Sequence, residues 1–164
     1  MKKLIIISIA IFMGFMISIQ GEEIKYQGEV LLGSSIVISD TQQGRPVINF
    51  RTIHGARIGQ YLFTGMGIGA DWYLFDFGSD GDDSEAVVPV FVNVKGYYPV
   101  SKEFSPLISL DLGYGFGVSQ GIKGKNGFLF SPAIGIQYKK FQAQIGYESN
   151  LSIKTCQLKV GLIF

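Results

Sequence analysis

The segment that decides the fold is Leu107–Val118, which reads LISLDLGYGFGV. Large apolar side chains occupy every even position from Ile108 to Val118, and the odd positions between them carry Ser109, Asp111 and three glycines. A period of two residues places successive side chains on opposite faces of a β-strand, whereas a helix repeats every 3.6 residues. The segment therefore predicts a strand with one apolar face and one small or polar face.

The same alternation recurs along the rest of the chain, and beyond Glu22 no apolar period of 3.6 residues is found. Eight strands are predicted, at Tyr26–Ile36, Val47–Ile58, Leu62–Phe75, Val88–Pro99, Leu107–Val118, Phe128–Tyr138, Phe141–Ser149 and Cys156–Phe164. The sixth of these contains Pro132, which cannot donate a ladder hydrogen bond, so we expect a β-bulge there.

The connections between these strands alternate in length. Ser39–Pro46 and Asp76–Val87 are long, whereas Gly59–Gln60 and Lys139–Lys140 are tight. Long loops on one rim and short turns on the other are typical of transmembrane barrels, with the short turns facing the periplasm. The predicted fold class is all-β, an eight-stranded antiparallel up-and-down transmembrane β-barrel, formed by the single domain 22–164.

The two faces of the strands indicate which solvent the barrel meets. A soluble barrel would bury the apolar face, and eight strands leave too little interior for Trp72, Tyr114, Phe116 and the other large aromatics together. Mean hydropathy is +0.29, which is high for a water-soluble domain. We therefore expect the aliphatic side chains to face lipid and the glycines and charges to face a narrow lumen. A soluble periplasmic barrel is the alternative.

Charged side chains fall on the inward face of several predicted strands. By strand parity this set comprises Glu29, Arg51, Arg57, Asp71, Lys95, Asp111, Glu148 and Lys159. Buried charges must be paired or hydrogen-bonded, so we predict a salt-bridge network that plugs the lumen. A gated ion path through the same charges is the competing interpretation.

Aromatic side chains cluster at the predicted strand ends, as expected for the two girdles that Tyr and Trp form at membrane–water boundaries. The residues assigned to these girdles are Trp72, Tyr98, Tyr114, Phe128, Tyr138, Phe141 and Tyr147.

The last strand carries apolar residues at every second position back from a terminal aromatic residue, namely Leu158, Val160, Leu162 and Phe164. This pattern resembles the C-terminal signal of outer-membrane barrels, which the barrel-assembly machinery reads. With the strand pattern, Tyr26–Phe164 resembles the small eight-stranded outer-membrane barrels of Gram-negative bacteria, of the outer-membrane-protein-A and X type. The resemblance implies anchoring in the outer membrane among lipid and lipopolysaccharide, contacts made by the loops, and no large pore.

The N-terminus has the features of a secretory signal peptide, predicted to span 1–21. Lys2 and Lys3 precede the uncharged apolar run Leu4–Ile19, so we expect export through the inner membrane. An uncleaved anchor helix is the alternative, because the run is nearly long enough to span a bilayer.

Composition excludes several function classes. Lys and Arg number 14 against 13 Asp and Glu, so there is no basic excess to bind nucleic acid through its phosphates. The single Cys156 cannot form an internal disulfide or a multi-cysteine zinc site. We predict no cofactor and no metal site.

No catalytic site is predicted either. Barrels of the lipid A deacylase type use a His, a Ser and an acidic residue, and His54 is the one histidine of this chain. It is followed by Gly55 and Ala56, so the His-x-Ser spacing of that family is absent. Strand parity also directs His54 away from the acidic side chains of the lumen. We therefore expect that the protein is not an enzyme.

The loop Asp76–Glu85 concentrates five carboxylates on the outer rim. Its glycines and glutamates do not fit the spacing of an EF-hand, so a solvated acidic loop is the expected structure. The alternative is that divalent ions bridge the carboxylates of this loop to lipopolysaccharide phosphates. Lys123 and Lys125 in the next outer loop are candidates for direct contacts with such phosphates.

Two function classes remain open at this point. The favoured one is a structural or surface-interaction barrel whose outer loops contact lipopolysaccharide, a host surface or another envelope protein. The alternative is a narrow channel for ions or small solutes.

Overall fold

The computed structural model describes residues 23–39, 44–74, 85–119 and 126–164. The predicted signal peptide 1–21, the acidic loop up to residue 84, and Lys123 with Lys125 lie outside these described residues. Among the described residues, no helix is long and apolar enough to cross a membrane.

The described chain forms eight β-strands, as predicted. They are β1 (Ile24–Val37), β2 (Pro46–Ile58), β3 (Leu62–Tyr73), β4 (Glu85–Tyr97), β5 (Phe104–Gly117), β6 (Asn126–Tyr138), β7 (Phe141–Asn150) and β8 (Ile153–Ile163). The strand bounds differ from the prediction by a few residues, chiefly because β4, β5 and β8 begin three residues earlier than Val88, Leu107 and Cys156.

Each strand pairs antiparallel with the next in sequence, and β8 pairs with β1 to close the barrel. An open sheet in lipid would leave the backbone N–H and C=O groups of its edge strands unpaired, and each unpaired group costs several kcal/mol. Closure pairs these groups. The prediction of an eight-stranded antiparallel up-and-down barrel is confirmed.

The two rims of the barrel differ in their connections. One, the loop rim, carries the connections 38–45, 74–84 and 118–125 and the two-residue turn Leu151–Ser152. The other, the turn rim, carries the connections 59–61, 98–103 and 139–140. Leu151 and Ser152 have φ angles of 51° and 67°, as a tight hairpin turn with both central residues left-handed requires.

The exterior of the barrel is apolar, and the charged and amide side chains of the strands are buried in the lumen beside two apolar clusters, which confirms the predicted orientation of the two faces. In β4, for example, Val92 and Val94 are exposed, whereas Asn93 and Lys95 between and beside them are fully buried. A water-soluble barrel would show the reverse distribution, because exposing rows of large aliphatic side chains to water is unfavourable.

The predicted bulge at Pro132 is wrong. Phe130 lies opposite Ser149 and Ala133 lies opposite Gly146, so the register between β6 and β7 is the same on both sides of the proline. The ladder skips Ser131 and Pro132 instead of inserting a residue. The β3–β4 ladder likewise skips the position of Pro89 without a change of register. A proline, which lacks the backbone N–H, thus interrupts the pairing locally, and the register is the same before and after it.

Candidate functional site

The lumen is the candidate site, because the alternation of each strand directs its polar side chains inward. Most of these inward polar side chains are buried, including charged groups and side-chain amides. The largest fully buried members include Arg51, Lys95, Glu29, Asn49 and Asn93.

One group of charges, here named the loop-side cluster, consists of Arg51, Asp71, Asp111, Glu148 and Lys159. The guanidinium of Arg51 lies 2.6 Å from Asp71 Oδ1 and 3.2 Å from Glu148 Oε2. The Nζ atom of Lys159 lies 3.6 Å from Asp111 Oδ2 and 4.0 Å from Glu148 Oε2. Glu148 therefore lies between the two bases, and each base also has an aspartate of its own.

Uncharged side chains extend this cluster across the barrel. Ser35 Oγ donates to Asn49 Oδ1 (2.9 Å), and Asn49 Nδ2 donates to Asp71 Oδ1 (2.7 Å). On the opposite side Asn93 Nδ2 donates to Asp111 and, at 2.9 Å, to Ser109 Oγ. The resulting chain of contacts joins side chains from every strand except β6, so it holds the barrel wall together from the inside.

A second group, the turn-side pair, joins Glu29 of β1 to Lys95 of β4 in an ion pair with both side chains fully buried. Gln142 of β7 donates from Nε2 to Glu29 (2.7 Å) and accepts from Lys95 at its Oε1 (3.2 Å). Gln27 also donates to Glu29 (2.7 Å), and Gln144 donates to Gln142 (2.7 Å). Amides thus complete the hydrogen bonding that a buried ion pair needs.

Arg57 differs from the other seven charges predicted for the lumen, because the described ion pairs do not include it. Its guanidinium carbon lies 3.5 Å from the centre of the Tyr97 ring, and its Nη2 donates to the carbonyl of Gln60 (2.7 Å). Arg57 comes one residue before the end of β2 at the turn rim, so it is half-buried at the mouth of the lumen. A cation over an aromatic ring takes the place of the salt bridge expected there.

Apolar side chains close the lumen at the loop rim and fill it further down. At the loop rim Val37, Val47, Tyr73 and Val87 form a buried cluster, here named the rim cap, against which Leu151 and Ile153 pack. A second cluster lies deeper and consists of Leu31, Ile53, Phe63, Phe91, Tyr97, Leu107 and Leu129. The lumen is therefore a packed core in its described part.

The ring of Phe91 lies over its cross-strand partner on the neighbouring β3, Gly67, which gives it space. A Cβ atom added at Gly67 would overlap the Phe91 ring. The guanidinium of Arg51 lies 5.9 Å from the centre of the same ring. Gly67 is one of the glycines predicted to face inward, and the absence of a side chain there leaves space for the Phe91 ring.

His54 lies on the barrel exterior, as parity predicts. Its Nδ1 is 2.6 Å from Tyr26 Oη and its Nε2 is 3.0 Å from Thr52 Oγ1. Neither described partner is a carboxylate, so the arrangement lacks the acidic group that orients and charges a catalytic histidine. The two hydrogen bonds instead satisfy both ring nitrogens on a lipid-facing surface.

The residues assigned to the aromatic girdles lie on the exterior near the two rims. Those at the turn rim are Tyr98, Tyr138 and Phe141, and those toward the loop rim are Trp72, Tyr114, Phe128 and Tyr147. Six of the seven are exposed, and Tyr147 is half-buried.

The C-terminal strand places Leu158, Val160, Leu162 and Phe164 on the exterior, where all four are exposed. Phe164 and Gly28 exchange two backbone hydrogen bonds of 2.8 and 2.9 Å, which extend the seam between β8 and β1. The ring of Phe164 lies over Gly28, where any side chain would collide with it.

Sequence reasoning missed the amides Gln27, Asn49, Asn93, Gln142 and Gln144, which bond to the charges of the lumen. The signal was present, since each of them falls on the inward face of its strand by parity. A set restricted to ionisable residues leaves out the amides that complete the hydrogen bonds of these charges. Among the described residues, no cluster of His, Cys, Asp and Glu side chains has the arrangement of a metal site.

Solved structures with the same architecture include the crystal structure of Neisserial surface protein A (NspA), with a TM-score of 0.62 and 10% identity over 87% of this chain and 98% of that chain. The chain has the fold of the small outer-membrane β-barrels. The crystal structure of the outer membrane enzyme PagL has the same fold, with a TM-score of 0.58 and 9% identity over 82% of this chain and 98% of that chain. So does the backbone structure of the Yersinia pestis outer membrane protein Ail in a phospholipid bilayer nanodisc, with a TM-score of 0.50 and 14% identity over 85% of this chain and 100% of that chain.

These likenesses are of fold alone, because the sequence identities are only 9–14%. No family model matches the sequence, and no curated protein is significantly similar to it. PagL is an enzyme, so the outer-membrane barrel fold is compatible with catalysis and does not by itself assign a role.

Proposed function

We propose that this chain is an integral outer-membrane barrel that is not an enzyme and that acts through the connections of its loop rim, which contact lipopolysaccharide or another surface partner. The observation that carries the proposal is the filled lumen. Ion pairs, amides and apolar clusters occupy its described interior, so the interior offers no path for solutes. Eight-stranded barrels have an interior just wide enough for side chains to fill.

The barrel exterior supports anchoring in a membrane. Its exposed side chains are predominantly aliphatic between the rims and aromatic near them, which matches a hydrocarbon layer bounded by two interfaces. In this proposal the leader directs export, the strand ending in Phe164 is read by the barrel-assembly machinery, and the turn rim faces the periplasm.

The loop rim supports a role in contact at the cell surface. Its three long connections contain four carboxylates, Asp76, Asp80, Asp82 and Asp83, and the two lysines Lys123 and Lys125. The fifth carboxylate, Glu85, begins β4, and the turn rim has only short connections. Variable loops on a rigid scaffold are where binding residues concentrate in proteins. Lipopolysaccharide phosphates are the partner chemistry that lysines and bridged carboxylates fit best.

The proposal is tested by replacing connections 38–45, 74–84 and 118–125 with Asn-Gly turns. We expect the shortened protein to remain in the outer-membrane fraction with heat-modifiable gel mobility, because the strands are unchanged, and to lose binding to lipopolysaccharide-containing vesicles. The matched control replaces the turn-rim connection 98–103 in the same way and should bind as the parent does. Unchanged binding by the loop-shortened protein, or recovery of the parent in the soluble periplasmic fraction, would contradict the proposal.

Planar bilayers separate this role from a channel. We expect the folded protein to give no discrete current steps, whereas a sixteen-stranded porin in the same bilayer does. Reproducible steps from the folded barrel would overturn the interpretation of a filled lumen.

A further inference from the structure

The barrel exterior carries a continuous apolar groove that is centred on β6 and β7 and reaches β5 on one side and β8 and β1 on the other. It is made of three adjoining depressions of about 450, 520 and 530 Å³. The first two share Ile136 and Ala143 in their lining, and the last two share Ile108, Ile134 and Ile145. The groove therefore continues from the turn rim toward the middle of the barrel, and its lining shifts from β8 and β1 at the turn rim to β5 further up.

Short side chains between long ones create the groove. Ala143 faces outward between its two cross-strand partners, Ile136 of β6 and Val160 of β8. Pro132 lies at the upper end, where the β6–β7 ladder is interrupted. Because the flanking isoleucines and valines project beyond these two residues, the floor of the groove is low and its walls are predominantly apolar.

The length of the groove fits one lipid chain. Its lining extends from Tyr138 to Phe130 along β6, which is about 26 Å at roughly 3.3 Å per residue. With a strand tilt of about 45° this corresponds to a depth of about 18 Å, slightly more than half of a hydrocarbon core of about 30 Å. An extended acyl chain that enters from the turn rim would fill the groove within its own leaflet.

The turn-rim end of the groove is positively charged. The two neighbouring turns there carry Lys102, Lys139 and Lys140 against one carboxylate, Glu103, which lies 3.5 Å from Lys139 Nζ. The third turn of the same rim, 59–61, contains no charged residue, and the nearby Arg57 is half-buried over the Tyr97 ring with its Nη2 bonded to the Gln60 carbonyl. Lysines at a membrane interface extend toward headgroup phosphates while their stems remain on apolar surface.

We propose that this groove binds one phospholipid, with an acyl chain along Ala143 and an anionic headgroup at Lys139 and Lys140. The leaflet is the periplasmic one, and that detail alone rests on the proposed function and its orientation of the two rims. A second copy of the chain is the competing occupant. Copies in the same orientation would bring their lysine-bearing turns together, and like charges across an interface disfavour association.

The experiment measures quenching of tryptophan fluorescence by brominated phosphatidylglycerol in phosphatidylcholine vesicles. The native Trp72 lies toward the loop rim on β3 and is first replaced by Phe. A single tryptophan is then introduced either at the groove, Tyr138→Trp, or at the uncharged turn, Tyr61→Trp. Both tyrosines are exposed at the turn rim, so the two reporters sample the same depth.

We expect phosphatidylglycerol to be enriched at the Tyr138→Trp reporter by about fivefold over the Tyr61→Trp reporter, the ratio that about 1 kcal/mol for one lysine near a membrane surface gives. Lys139→Gln with Lys140→Gln should abolish the enrichment. Ala143→Phe, which fills the groove, should abolish it as well. The matched control is Ala56→Phe, an outward alanine of β2 outside the groove, and it should leave the enrichment unchanged.

Equal quenching at the two reporters would overturn the proposal, and so would enrichment that survives Ala143→Phe. Enrichment that disappears as the protein-to-lipid ratio rises, together with cross-linked dimers that Ala143→Phe removes, would assign the groove to a second copy instead. Because these vesicles require only a folded barrel, failure here leaves the proposed surface role standing, and failure of the loop experiment leaves the groove standing.

Discussion

The lumen contains two ion clusters that are built in different ways. The turn-side pair balances one acid, Glu29, against one base, Lys95, with amides completing the hydrogen bonds. The loop-side cluster places three carboxylates around two bases, so its members share partners. The comparison teaches that the stability lost on removing one buried charge depends on how many partners its neighbours keep. Substitutions in the two clusters should therefore differ in their effect on the free energy of unfolding.

The largest effect is expected for Lys95→Met. The substitution leaves the carboxylate of Glu29 buried with amide donors but no base, and removing one partner of a buried pair costs about 3–5 kcal/mol. Urea unfolding of the barrel in vesicles or micelles, followed by heat-modifiable gel mobility, measures the free energy of unfolding.

The double variant Glu29→Gln with Lys95→Met is the control for this measurement. It removes both charges and keeps the approximate size of both side chains, so most of the lost stability should return, because replacing a complete buried pair by neutral residues is often close to neutral. Equal destabilisation of the single and double variants would assign the loss to packing and refute the argument from unpaired charge.

A smaller effect is expected for Asp111→Leu in the loop-side cluster. Lys159 loses its nearer carboxylate at 3.6 Å but keeps Glu148 at 4.0 Å, so the loss should be about 2 kcal/mol, below the range for a lone pair. Asn93 also loses the acceptor of one hydrogen bond. Unchanged resistance to urea in the same assay would count against the network.

The smallest effect is expected for Glu148→Gln. This change leaves two carboxylates for two bases, and Arg51 keeps Asp71 at 2.6 Å, so the free energy of unfolding should change by less than about 1 kcal/mol. Asp71→Asn is the matched comparison, because it removes the nearest partner of the same arginine, and it should cost more. If Glu148→Gln proved the more damaging of the two, the shared arrangement would be the wrong description.

The faces of the strands were predictable from the sequence, whereas the partners across the lumen were not. Parity alone places Asp111 inward and Leu112 outward, since the period of a strand is fixed. It does not pair Asp111 with Lys159 of β8, because the stagger of a closed barrel decides which positions of distant strands share a level.

Two local expectations failed for physical reasons that act at single residues. Pro132 was expected to add a residue to its strand, but the barrel keeps its register and leaves the pairing of that position unmade. Arg57 was expected among the ion pairs, but its place near the end of β2 sets it over the ring of Tyr97 at the mouth of the lumen. Strand parity gives the direction of a side chain and carries no information about its depth.

The rim cap lies between the loop-rim connections and the ion pairs of the lumen. Val37 and Val47 flank the connection 38–45 and are both locked into the cap with Tyr73 and Val87. We expect a peptide grafted between them to start and finish at buried positions that are packed separately from the ion pairs below. The scaffold is therefore suited to displaying foreign epitopes between Val37 and Val47.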